Sequence, residues 1–265
     1  MKDFTIKNSE KNKVNNKGKF FWISLFLFFV IWHIFSLWVA RQYHPMILPS
    51  PYEVLQMMVE LCFQEVFWYS ILLTLYRGGV GFFLAFSIGV PFGFLMGILP
   101  DVEAFFRPLL ITIQTTPTVS WLALALIWFG SPGTMTIFIT FIAVLPILII
   151  NVYQGIGQLD KSLLEMSTLF QVPKRKQLTS LYLPQLLPFI LAGSTAGIGM
   201  TWKAVAMAEL LSGRNGIGGR IALARVHLST AEVLAWTIVL MILGYGGEQL
   251  MKYITKKVMG HWRDP

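Results

Sequence analysis

LLEMSTLFQVPKRKQLTSLYLP, residues 163–184, is the one long polar interruption in the second half of a very apolar chain. Leu163, Met166, Leu169 and Phe170 fall at i, i+3, i+6 and i+7, one face of a helix. After Gln171, Leu178, Leu181 and Tyr182 resume that spacing. Between the two runs stand Pro173, which suits a helix start, and the cations Lys174, Arg175 and Lys176. The pattern predicts two short amphipathic helices joined by a sharp turn. They are expected to lie outside the bilayer and to present an apolar face to another protein.

The composition explains why such a stretch stands out. Of 265 residues 55% are hydrophobic, the mean hydropathy is +0.64, and only 13% are charged. Soluble domains carry roughly 25% charged residues. This predicts a polytopic, all-α membrane protein. The lone cysteine, Cys62, excludes an internal disulfide and a multi-cysteine metal site. His33, His44, His227 and His261 are too dispersed for a metal cluster. A net charge of +8 invites a nucleic-acid reading, which the positions of the charges exclude.

Residues 1–19 are polar, rich in Lys and Asn, and expected to be a disordered cytoplasmic tail. From residue 20 onward a single transmembrane domain is expected, running to residue 265. Phe20–Ala40 contains no Asp, Glu, Lys or Arg, and a span needs about 20 such residues. It reads as a retained first helix. A turn at Leu48-Pro49-Ser50-Pro51 leads to a surface helix from Tyr52. Tyr69–Leu99 is a second span, with Gly81, Ala85, Gly89, Gly93 and Gly97 each four apart. That ridge lets another helix backbone approach closely. Ala104–Phe129 is a third span, interrupted around Thr115-Thr116-Pro117. Thr134–Tyr153 is the fourth, Gln185–Met207 the fifth and Ala231–Met251 the sixth. The fifth carries Gly193 and Gly197, again four apart. The ridges predict tight packing, within one chain or between two copies.

Orientation follows from Lys and Arg. With the N-terminus inside, fifteen cations fall in cytoplasmic segments and four (Arg41, Arg214, Arg220 and Arg225) outside. Both termini and the 155–184 loop are therefore expected in the cytoplasm. The asymmetry also accounts for the basic charge without any nucleic acid.

The loop now acquires a resemblance. Glu165-Met166-Ser167, then Gln171, then Leu181-Tyr182-Leu183-Pro184 resembles the cytoplasmic Glu-Ala-Ala loop of binding-protein-dependent ABC importer permeases. Met166 and Ser167 replace the family's alanines, and Gln171 stands where Gly is usual. Leu48-Pro49-Ser50-Pro51, Leu75-Tyr76-Arg77-Gly78-Gly79-Val80-Gly81-Phe82, Thr116-Pro117-Thr118-Val119-Ser120-Trp121, Ile127-Trp128-Phe129-Gly130 and Gly216-Ile217-Gly218 resemble successive segments of its nitrate/sulfonate/taurine branch. The resemblance covers about residues 48–255. It implies a type I importer permease fold of about six spans in the bacterial inner membrane. It further implies two ABC ATPase subunits on the cytoplasmic face, an extracytoplasmic solute-binding protein, and a second permease chain, expected to be a copy of this one. The chain is not expected to be an enzyme or to bind a cofactor. It has no Gly-x4-Gly-Lys-Ser/Thr loop, so ATP is expected to be hydrolysed by the partner subunits.

Individual residues carry two readings each. In the resemblance, Glu165, Met166, Leu169, Phe170, Gln171, Pro173 and Pro184 form the ATPase-coupling element. Otherwise Glu165 is a solvated carboxylate, Phe170 packs on the chain's own helix ends, and the three cations anchor topology. Arg77 lies in a span, where a charge is costly. It either attracts an anionic substrate or snorkels or pairs with a carboxylate. Lys203 and Glu209 either line the pathway or anchor the interface. Other functions compete. A membrane-embedded enzyme needs convergent catalytic groups, which the acid-poor spans do not offer. An ATP-independent carrier needs no docking loop. A permease of another branch, for methionine or a thiamine precursor, differs only in cargo.

Overall fold

Small residues decide which helices touch. The computed structural model describes residues 20, 23–24, 26–42, 47–213 and 215–260. The tail expected at 1–19, residues 261–265 and Arg214 lie outside them. Every regular element among the described residues is helical. These are α1 (Phe26–Gln42), α2 (Pro51–Cys62), α3 (Glu65–Ile98), α4 (Pro100–Thr115), α5 (Thr118–Trp128), α6 (Pro132–Gly157), α7 (Lys161–Leu169), α8 (Lys174–Gln177), α9 (Leu183–Ser212), α10 (Ile217–Val226) and α11 (Thr230–Gly260).

Four helices are long and apolar enough to cross a membrane: α3, α6, the continuous helix Lys174–Ser212 that contains α8 and α9, and α11. The pair α4 and α5 qualifies together but bends by 93° at its break, where the sequence showed the Thr115-Thr116-Pro117 interruption. The expected first span is the shorter apolar helix α1.

The described residues form two compact units, one of those up to Gln64 with Ala224–Ala235, the other of Glu65–Leu223 with those from Trp236 onward. In the first, Ser50 caps α2, its hydroxyl accepting from Glu53 N while Glu53 accepts from Ser50 N at 2.7 Å. This reciprocal pair satisfies two helix-end donors and fixes where the surface helix begins. The Ser36 hydroxyl donates to Leu48 O at 2.9 Å and ties α1 to the segment before it.

In the second unit α6 is central. Half of its most apolar stretch is buried (50%), against 28% for α3 and 17% for α11. It contributes to each of three apolar clusters: with Leu122, Ala125, Ala204 and Ala208, with Ala85, and with Met96 and Leu110. The glycine ridges explain its place. A Cβ at Gly81 would lie 2.6 Å from Thr140 Cβ, one at Gly93 2.6 Å from Ile149 O, and one at Gly97 2.6 Å from Ile156 Cβ. Gly89 faces Leu148 and Leu145. From α9, Gly193 meets Asn151, and Gly197 meets Val144 on α6 and Phe82 on α3. Both ridges therefore pack on one helix of the same chain.

The stretch at 163–184 differs from its expected form. It holds one short helix, α7, and the beginning of a long one. The second amphipathic segment does not end before the fifth span but runs into it. The reason lies at Pro184, which has no N–H to give. The backbone ahead of it widens into a π turn at Leu178–Tyr182, closed by Leu183 N–H donating to Leu178 O.

Candidate functional site

The loop between α6 and α9 is built to hold an apolar tip in solvent. Asp160 opens α7 as its N-cap, accepting from Ser162 N at 2.9 Å and from the Ser162 hydroxyl. These bonds stabilise the carboxylate and hold Asp160 below the usual carboxyl range, so the cap persists at neutral pH and is lost on acidification. Asp160 N donates to Gln185 Oε1 at 3.1 Å, which clamps the two ends of the loop together.

At the tip, Val172 N donates to Ser167 O and Gln171 N to Thr168 O, both at 3.0 Å. This is a Schellman motif with Gln171 in the left-handed position, φ 52°. The turn that glycine usually makes is thus made by glutamine, at a cost of about 1–2 kcal/mol. Gln171→Gly is expected to raise stability by up to that amount, read as a higher unfolding temperature of the purified protein. An unchanged or lower temperature would show that the Gln171 side chain compensates the strain.

Leu169 and Phe170 stand 80% and 72% exposed, and Met166 50%. Glu165, Pro173, Lys174, Arg175 and Lys176 are exposed beside them, and Pro184 lies in the first turn of α9. Apolar side chains on a clamped loop are available to a partner, because the fold gives them nothing to pack on.

The intramembrane charges behave differently. Arg77 Nη1 donates to Glu209 Oε1 at 2.8 Å, and the side chains are 8% and 0% exposed. Arg77 also donates to Asn215 O at 2.9 Å. The other Glu209 oxygen accepts from the Thr74 hydroxyl at 2.8 Å and from Gly218 N at 3.1 Å. Thr74 Oγ1 in turn accepts from Ile217 N at 2.9 Å. One network therefore joins α3, the end of α9 and the first amides of α10. Gly216, at φ 98°, lets the loop press onto the Glu209 carboxylate where any side chain would overlap it. Of the two readings for Arg77, the geometry is that of pairing with a carboxylate. Lys203 is exposed and takes no part. Sequence reasoning missed Thr74, although a hydroxyl three residues before Arg77 shares its helix face.

The third feature is a cavity of about 200 Å³ at the α4–α5 break, walled by Gln114, Thr116, Thr118 and Trp121 against α6 and Met200.

The comparisons identify the family. The model of the family "Binding-protein-dependent transport system inner membrane component" matches residues 89–260. The chain belongs to that family. This permease is 26% identical over 218 residues to the putative aliphatic sulfonates transport permease protein SsuC of Bacillus subtilis, covering 82% of this chain and 79% of that one. To the taurine transport system permease protein TauC of Escherichia coli it is 27% identical over 206 residues, covering 76% and 75%. Its fold matches a chain of an inward-facing MetNI methionine ABC transporter with TM-score 0.64 at 16% identity, covering 81% of the permease and 98% of that chain. The permease is thus a multi-pass membrane component of an ABC importer with the type I fold, working with ATPase and binding-protein partners.

Proposed function

We propose that this permease forms the membrane pathway for a small sulfonate, taurine-like or nitrate-like solute, and that residues 160–185 couple it to ATP hydrolysis by the partner subunits. The observation that carries the coupling reading is the exposed Leu169-Phe170 tip on a loop clamped by Asp160 and Gln185. An apolar anchor held in one conformation loses little entropy on docking. Pro184 and the π turn would pass the displacement to α9. The solute class rests on the similarity to SsuC and TauC and on the branch resemblance. The cation asymmetry puts both termini and this loop in the cytoplasm. Two copies of the chain, with two ATPase subunits, make up the transporter.

Truncating a central anchor costs about 2 kcal/mol. At roughly 1.4 kcal/mol per tenfold, Phe170→Ala is expected to weaken ATPase association more than tenfold while the permease still inserts. Co-purification with the ATPase and ATP-driven uptake in vesicles measure this for Glu165→Ala, Leu169→Ala and Phe170→Ala. If all three match the parent in both assays, the loop is not the coupling element. Reagents applied outside intact cells should spare a cysteine placed at Lys174 and reach one at Ser131; labelling at 174 would reverse the orientation. A complex purified with one copy of this chain beside a different permease would end the homodimer reading.

A further inference from the structure

Two charged side chains stand exposed on helices that are apolar enough to cross a membrane. Lys203 lies on α9, well short of its last residue, Ser212, and so about 14 Å inside that end. It has no carboxylate partner among the described residues. Glu248 lies on α11 with its side chain 44% exposed, and Lys252 stands off at 3.8 Å. An exposed pair at that distance contributes little. Hydrocarbon does not solvate such groups, so charged side chains in spans turn to water or to an opposite charge.

The packing of α11 on α9 brings the two together. Gly244 and Gly247 lie against Trp202, so the two helices approach closely there. A Cβ at Gly199 would stand 3.2 Å from Glu248 Oε1. The carboxylate therefore rests on α9 one turn, about 6 Å, from Lys203, where a hydrogen replaces a side chain. Ala192, Ala196, Gly199 and Lys203 recur at helical spacing on one face, and both alanines are exposed. The face thus carries a cation and an anion at adjacent levels and little bulk beside them. The two are not joined as an ion pair.

Resting on the importer reading, we propose that Lys203 and Glu248 form a pathway site for a zwitterionic amino sulfonate of the taurine class. The sulfonate lies toward Lys203 and the ammonium toward Glu248. Nitrate and simple alkyl sulfonates meet only repulsion from the carboxylate. Both charges are open to water, so the site holds its solute weakly, as a passage site must if the solute is to leave.

The test uses the full chain with its ATPase in nanodiscs, where both faces are open to reagent. Native Cys62 is replaced by Ser, and Ala196→Cys places a thiol on the same face. Its reaction with the membrane-impermeant trimethylammonioethyl methanethiosulfonate is timed with and without an excess of taurine, methanesulfonate or nitrate. The ratio of the two rates cancels each variant's own effect on the reagent. At equal concentration taurine should slow labelling about threefold more than methanesulfonate, the scale of one solvent-screened ion pair. Glu248→Gln should bring methanesulfonate level with taurine. Lys203→Gln should remove protection by all three solutes, and Lys203→Arg should keep it. Ala192→Cys repeats the measurement should Ala196→Cys misassemble. No labelling at either position, equal protection by taurine and methanesulfonate with both charges present, or a taurine advantage that survives either glutamine variant would overturn the site. Such a result with ATP-driven uptake intact removes this inference alone; uptake that does not depend on ATP, with the protection pattern as expected, removes the importer reading instead.

Discussion

Arg77→Met is expected to destabilise the permease by about 3–5 kcal/mol, because it leaves the Glu209 carboxylate buried without its cation. Glu209→Gln keeps the shape and strands the guanidinium, with a loss of similar size. The double variant is expected to lose markedly less than the sum, since no unpaired charge remains. Neighbours in one network commonly show coupling energies of about 0.5–3 kcal/mol. A double-mutant cycle on unfolding in detergent measures it. Strict additivity, or an Arg77→Met protein as stable as the parent, would mean that the pair is not what joins α3, α9 and α10. The same variants bear on transport. If Arg77→Gln inserts and imports normally, Arg77 has no essential part in anion passage.

Two glycines two positions apart are expected to respond with opposite sign. At Gly81 an added Cβ would lie 2.6 Å from Thr140 Cβ and 2.9 Å from Ile137 O, so α3 and α6 must separate. Gly81→Ala should cost about 1–3 kcal/mol. At Gly79 nothing lies within 4 Å, and the substitution should contribute about 0.5–1 kcal/mol of helix preference. Gly89→Leu should disrupt the same contact through Leu145 and Leu148. Unfolding temperatures of the single variants decide the matter. Equal effects at Gly79 and Gly81 would mean that the two helices give way freely.

These cases show what could be read in advance. The ridge at Gly81–Gly97 was legible because spacing of four defines a helix face. Its partner was not, since spacing names a face and never the surface opposite, so packing between copies stayed open. The break at Thr115–Pro117 was legible from proline chemistry, but the 93° bend and the cavity depend on how α6 and α9 fill the space beside it. Arg77 and Glu209 were each visible as odd residues in apolar runs. That they meet depends on a contact spanning 132 residues, which no local pattern encodes. The second amphipathic segment reads as a separate short helix that ends before the fifth span. The chain instead widens one turn and continues. Gln171 stands where Gly is usual, yet its backbone takes the left-handed form that the position demands.

The glycine contacts that α3 and α9 make with α6 have a mechanical consequence. On α9 Gly193 faces Asn151 and Gly197 faces Val144, while on α3 Gly81, Gly93 and Gly97 face Thr140, Ile149 and Ile156. If α9 slid along α6 by one residue, Ser194 or Ala192 would arrive where only a hydrogen fits. Sliding is therefore closed to these helices, and the three respond to a push as a stiff lever. Its arm, the 30 residues of α9, is about 45 Å long. A tilt of about 10° applied at Pro184 would carry the far end, with Glu209 and the start of α10 attached, through about 8 Å.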